Sequence, residues 1–223
     1  MSRTVTILCI AAALAAAGGH YLLVARGRPA VRGGPEVRRW SLWERLLMAA
    51  VGGSFGVLAV TGFLPVLGGE DLTGWLLVVH VAFGGVFSVA GALAVLRWAE
   101  DCRFEAHDRC CCRRLGGEDR PADRFDAEQK AFFWIAATAG LAAVTSMMAS
   151  MVNGFGSEGI ELLAEVHRYS ALLMLTAGIG HLYRTAAAKP GARGALFSGR
   201  VTSDWARRYH RLWWDRLRRK QNP

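Results

Sequence analysis

Four histidines stand within or at the edges of apolar stretches: His20, His80, His167 and His181. Ionisable side chains are costly in a bilayer, and imidazole is the commonest metal-binding side chain, so this set predicts a buried cofactor rather than packing. His167 and His181 lie fourteen residues apart. At 3.6 residues per turn that is close to four whole turns, so one helix presents both on a shared face, about 21 Å apart along its axis. The geometry suits two haems b, one near each membrane surface. His80 lies about one turn inside its own stretch, at the depth of His167, and the pair can supply both axial ligands of one low-spin haem. Gly84 and Gly85, one turn further on, leave room for a flat macrocycle. His181 needs a partner at the opposite depth, and two residues compete for that place. One is His20, preceded by Gly18 and Gly19; the other is Met48, whose thioether can ligate haem iron.

The elements that must position these groups follow from hydropathy. Of the 223 residues 52% are hydrophobic, and five apolar stretches, 4–24, 46–67, 76–96, 131–152 and 162–183, are each near the length that crosses a bilayer as a helix. The fold class expected is an all-α membrane protein: a four-helix transmembrane haem-binding bundle, one extra N-terminal transmembrane helix, and a cytoplasmic amphipathic C-terminal helix. Its parts are the extra helix at 1–25, a basic linker at 26–40, the core at 41–184 with a loop at 97–130, and a tail at 185–223. The net charge of +9 is gathered in segments between apolar runs, which argues against nucleic-acid binding. Segments 26–45 and 97–130 are rich in arginine, whereas 68–74 and 153–160 carry acids and no Lys or Arg. The positive-inside bias therefore predicts a multi-pass protein of a bacterial inner membrane with its N-terminus outside and its C-terminus cytoplasmic. The first stretch resembles a signal peptide, but cleavage would put the basic segment outside, so it reads as a retained helix.

Local signals set the helix ends. Ser41 and Glu44 fit a capping box, with Trp40 and Trp43 at headgroup level. Pro65 with Gly68-Gly69 is expected to end that helix, Asp71 with Thr73 to open the next, and Asn153-Gly154 to break the fourth span. After the Lys189-Pro190-Gly191 breaker, 203–220 reads as one basic amphipathic helix, lying on the anionic inner leaflet, solvated, or docking a cytoplasmic subunit. The cysteines, Cys9, Cys102, Cys110, Cys111 and Cys112, are odd in number and imply no disulfide framework. Even with His107 nearby, three consecutive cysteines match no standard zinc or iron–sulfur spacing, so their segment is expected to be a solvated loop.

Several motifs carry a family likeness over about 38–214. They are Phe125-Asp126-Ala127-Glu128-Gln129-Lys130 followed by Phe133-Trp134, the spacing of His167 and His181, and a long tail pattern. That pattern runs Ser198-Gly199-Arg200-Val201-Thr202-Ser203-Asp204-Trp205-Ala206-Arg207-Arg208-Tyr209-His210 and ends at Trp213-Trp214. Together they resemble the gamma subunit, a cytochrome b, of membrane-bound formate dehydrogenases, within the four-helix cytochrome b family shared with thiosulfate reductases and nickel–iron hydrogenases. The resemblance implies four histidines on two haems b, three of which match His80, His167 and His181. The fourth falls on Met48, by its distance from Thr61-Gly62, and the helix carrying His20 lies outside the family pattern. It also implies a quinone site at Asp126, Glu128 and Gln129, where Asp126 replaces the usual Asn, Glu128 replaces the usual Gly, and Gln129 and Lys130 are kept. The partners so implied are an iron–sulfur subunit, a catalytic oxidoreductase subunit, membrane lipid, and menaquinone or ubiquinone. The chain alone, with no site for molybdenum or formate, is expected not to act on formate. Alternatives left open are a hydrogenase, a sulfur-compound reductase or a multihaem cytochrome as partner, quinol oxidation rather than quinone reduction, and a haem-poor membrane anchor.

Overall fold

The computed structural model describes residues 2–27, 31, 33–109, 122–152, 154–189, 191 and 194–221. Cys110, Cys111, Cys112, Asn153 and Pro190, singled out above, lie outside the described residues. The architecture is all-α. The long helices are α1 (Arg3–His20, continued as a π-turn over Tyr21–Ala25), α2 (Leu42–Gly68), α3 (Gly74–Trp98), α5 (Ala127–Ser150) and α6 (Gly156–Tyr183). The described residues also form the short helices α4 (Ala106–Arg109), α7 (Ala195–Ser198), α8 (Ser203–Tyr209) and α9 (Arg211–Gln221), a π-turn over Arg184–Ala188 that continues α6, and strands β1 (Glu36–Arg38) and β2 (Arg200–Thr202).

Arg3–Ala25, α2, α3 and α5 are long and apolar enough to cross a membrane. The fifth expected span, α6, has the length but not the apolarity. Its sequence includes Glu158, Glu161, Glu165 and Arg168 besides His167 and His181, so the residues of chemical interest themselves lower its hydropathy.

Ser41 and Glu44 form the expected capping box. The Ser41 amide donates to Glu44 Oε2 at 2.9 Å, and the Glu44 amide donates to Ser41 Oγ at 3.2 Å. At the other end Pro65 does not stop α2. The helix carries on to Gly68, and the Glu70 amide closes it on the Pro65 carbonyl at 2.9 Å. Gly69, at φ 79°, supplies the left-handed turn that such a closure favours.

By contacts the chain divides into two compact units. The first comprises the described residues of Met1–Ala15, Leu46–Arg97 and Trp134–Ile179. Its core is built on the small face of α5, where Ala139 and Ala143 meet Met174 of α6, Phe55 of α2 and Phe87 of α3. Small residues let helix backbones approach closely where no water drives them together. Gly140 shows how closely: a Cβ there would stand 3.4 Å from Phe87 and 3.5 Å from the Met174 sulfur.

The second unit comprises the described residues of Ala16–Arg45, Trp98–Phe133 and Gly180–Pro223. Here Glu36–Arg38, Arg39 and Trp40, at the end of the basic segment, are clasped by the tail. β1 and β2 pair antiparallel with Val37 opposite Val201, and the Arg39 and Trp40 amides both donate to the Gly199 carbonyl. Gly199 sits at φ 74°, and a Cβ there would lie 2.5 Å from the Trp40 carbonyl oxygen, so only glycine fits. The amphipathic helix expected at 203–220 is two helices, broken at His210. Its aromatic face turns into the protein rather than a leaflet: Trp205, Tyr209 and Trp213 are buried, and the Arg39 guanidinium stacks 4.6 Å over Trp205. Protein-internal packing won because Arg39 offered the Trp205 and Trp213 rings a cation.

Candidate haem and quinone sites

In the first unit α3 and α6 bring His80 and His167 together, with ring centroids 6.2 Å apart and ring planes at 67°. Each ring is held by its Nδ1. His167 Nδ1 lies 2.9 Å from the Ala143 carbonyl of α5, which can only accept, so Nδ1 carries the proton. His80 Nδ1 lies 2.8 Å from Thr61 Oγ1 of α2. That hydroxyl is also 2.8 Å from the Val57 carbonyl, which takes its single proton, so toward His80 it can only accept. Both imidazoles thus present Nδ1 to an oxygen acceptor, and the Nε2 of each lies on the ring edge away from these contacts.

This donor set fits a bis-imidazole haem. Ligating histidines characteristically give the other ring N–H to an oxygen acceptor, which fixes both tautomer and ring orientation. Added Cβ atoms at Gly84 and Gly85 would meet nothing within 4 Å.

His181 belongs to the second unit, as does His20. The His181 ring stacks on Phe132 of α5, with centroids 4.0 Å apart and planes at 12°. His20 reaches Tyr183, two residues past His181 on α6, through Nδ1 and the phenol oxygen at 2.5 Å. Met48, half-buried on α2, belongs to the first unit.

The three expected quinone-binding residues have partners in the second unit. Asp126 and Gln129 cap α5 reciprocally: the Gln129 amide donates to Asp126 Oδ1 at 2.9 Å, and the Asp126 amide donates to Gln129 Oε1 at 3.1 Å. Asp126 also pairs with Lys189, and Glu128 pairs with Arg184 at 2.5 Å. Burial alone would raise the Asp126 carboxyl, but Lys189, His210 and the Gln129 amide hold it well below the usual range. It is a carboxylate at neutral pH.

Several contacts had weak signals in the sequence. In the sequence Thr61 is only a landmark, and Phe132 and Tyr183 are residues of apolar spans. Arg124 bridges Glu44 at 2.6 Å and Asp101 at 2.9 Å, and buried Lys130 meets Asp108 at 2.8 Å and the Arg103 carbonyl at 2.9 Å. A lysine opening an apolar helix was the only hint of the last. Cys102 is buried, and burial, then Asp101, pushes its thiol up to about 12, which makes it a protonated packing residue.

His210 is fully buried and its Nδ1 meets the Asp123 carbonyl at 2.5 Å. Burial, then Arg39 and Lys189, lower its basicity well below the usual value, against an opposing pull from Asp126. A histidine depressed in the folded state binds a proton only on unfolding between its two pKa values, so its stabilising effect is complete above the unfolded value and declines below it. Thermal stability should therefore fall as pH drops below about 6.5, and His210→Gln should flatten that slope. An unchanged slope in the variant would show that His210 is not the group responsible.

Comparison with known proteins agrees with the helix pattern. No curated protein matches the chain. Residues 39–199 match the family described as prokaryotic cytochrome b561, a stretch that contains α2 to α6 with His80, His167 and His181. A b-type haem, electron transfer through the membrane and a multi-pass topology come with that family and agree with the four apolar helices. With the match covering most of the chain, the protein belongs to the prokaryotic cytochrome b561 family.

Proposed function

We propose that the chain is the cytochrome b subunit that links an iron–sulfur and catalytic partner outside the bacterial inner membrane to the quinone pool, in a formate-dehydrogenase-like respiratory complex. The observation that carries this is the pair of adjacent imidazoles, His80 and His167, each anchored through Nδ1 with Nε2 turned away from that contact. These two residues would hold one haem b, and His181 with His20 or Met48 a second. Bound haem supplies reversible one-electron transfer at its iron, chemistry that no side chain of this chain provides. The resemblance to formate dehydrogenase gamma subunits in 125–134 and 198–214 supports the choice of partner, and the basic 26–45 and 97–130 segments support a cytoplasmic C-terminus.

In the second unit Asp126, Glu128 and Gln129 would face the quinone, menaquinone or ubiquinone. Gln129 offers an amide donor to a carbonyl oxygen, and the carboxylates Asp126 and Glu128 can pass protons. Asp126 is paired with Lys189 and Glu128 with Arg184. Replacing Asp126 and Gln129 together by alanine should abolish quinone reduction by the reduced protein while its haem spectra stay unchanged. Normal turnover in that double variant would refute the site.

A further inference from the structure

The two imidazoles of the first unit are held by unlike acceptors: His167 by a backbone carbonyl, His80 by a side chain. Only the second can be changed by substitution without moving the backbone. Thr61 Oγ1 is 2.8 Å from the Val57 carbonyl one turn earlier in α2 and 2.8 Å from His80 Nδ1. With its one proton committed to Val57, the hydroxyl presents a lone pair to His80 and pins the ring in a single tautomer. Its neighbour Gly62 closes the other degree of freedom. A Cβ at Gly62 would come within 3.0 Å of His80 Cε1, so the ring rests directly on the α2 backbone.

We propose that Thr61 is a positioning residue for the His80 ligand: it fixes Nε2 as the lone-pair nitrogen and, by accepting from Nδ1, raises its basicity toward a b-type haem iron. The inference rests on the reading of His80 as a haem ligand. An acceptor at the far nitrogen strengthens donation to the metal and favours the ferric state, so losing it weakens binding and raises the midpoint potential.

The test uses Thr61→Val, which keeps the shape and removes the acceptor, and Thr61→Ser, which keeps the acceptor. In the purified full chain, Thr61→Val should weaken haem retention by about 10- to 100-fold and shift the potential of the remaining haem upward, while Thr61→Ser behaves as the wild type. In haem-free protein, nitrogen NMR of His80 should show the Nδ1-protonated tautomer alone in the wild type and Thr61→Ser, and a tautomer mixture in Thr61→Val. Wild-type haem retention, potential and tautomer in Thr61→Val would overturn the proposal. His80→Ala separates the two levels. If it loses haem while Thr61→Val does not, only the role of Thr61 falls; if it keeps all its haem, the ligand reading falls and the role of Thr61 with it.

Discussion

His167→Ala should remove outright the haem proposed for the first unit. The substitution takes away one of the two proposed ligand nitrogens, and the Ala143 carbonyl loses the imidazole N–H it accepts. His80 remains, but a single imidazole leaves an open coordination position where the proposed site is closed on both faces. With two haems bound, the b-type absorbance of purified protein should drop by about half; with one, it should vanish. His181→Ala must leave the His80–His167 spectrum in place, because the rings of that site are set by Thr61 and Ala143 and not by His181. A His167→Ala protein with undiminished haem would place the cofactor elsewhere.

The second large effect concerns the clasp. Trp205 is 1% exposed, stacks beneath Arg39, and lies 5.0 Å from the His210 ring. Trp205→Ala should destabilise the second unit by about 3–5 kcal/mol, the usual range for a large buried aromatic. It would also uncover Arg39, whose buried Nε has no hydrogen-bond partner among the described residues. The expected readout is a lowered midpoint of thermal unfolding in detergent, with early protease cleavage of the tail. Trp205→Phe, which keeps a ring under the guanidinium, should recover much of the loss. If the alanine variant is as stable as the wild type, the tail lies on the surface as the amphipathic pattern first suggested.

Span lengths and the Ser41–Glu44 cap were legible in the sequence because each depends on residues close together in the chain. The convergence of His80 on His167 was legible too, since bilayer depth converts sequence position into spatial position. The clasp was not. Alternating tryptophan, leucine and arginine encodes an apolar face but not what covers it, and the cover, Arg39, lies far back in the sequence. The helix ends show the same limit, since Pro65 looks like a stop until one sees the chain close on its carbonyl a turn later. Thr61 is the most instructive omission. A threonine bonding back to its own helix is common, and only the presence of His80 against it turns that local habit into a constraint on a ligand.

The most direct measurement is a reduced-minus-oxidised absorbance spectrum of the purified wild-type protein, with haem counted per chain. A b-type α band that His80→Ala and His167→Ala each diminish is the result expected from the imidazole pair of α3 and α6. A wild-type spectrum with no such band would contradict it.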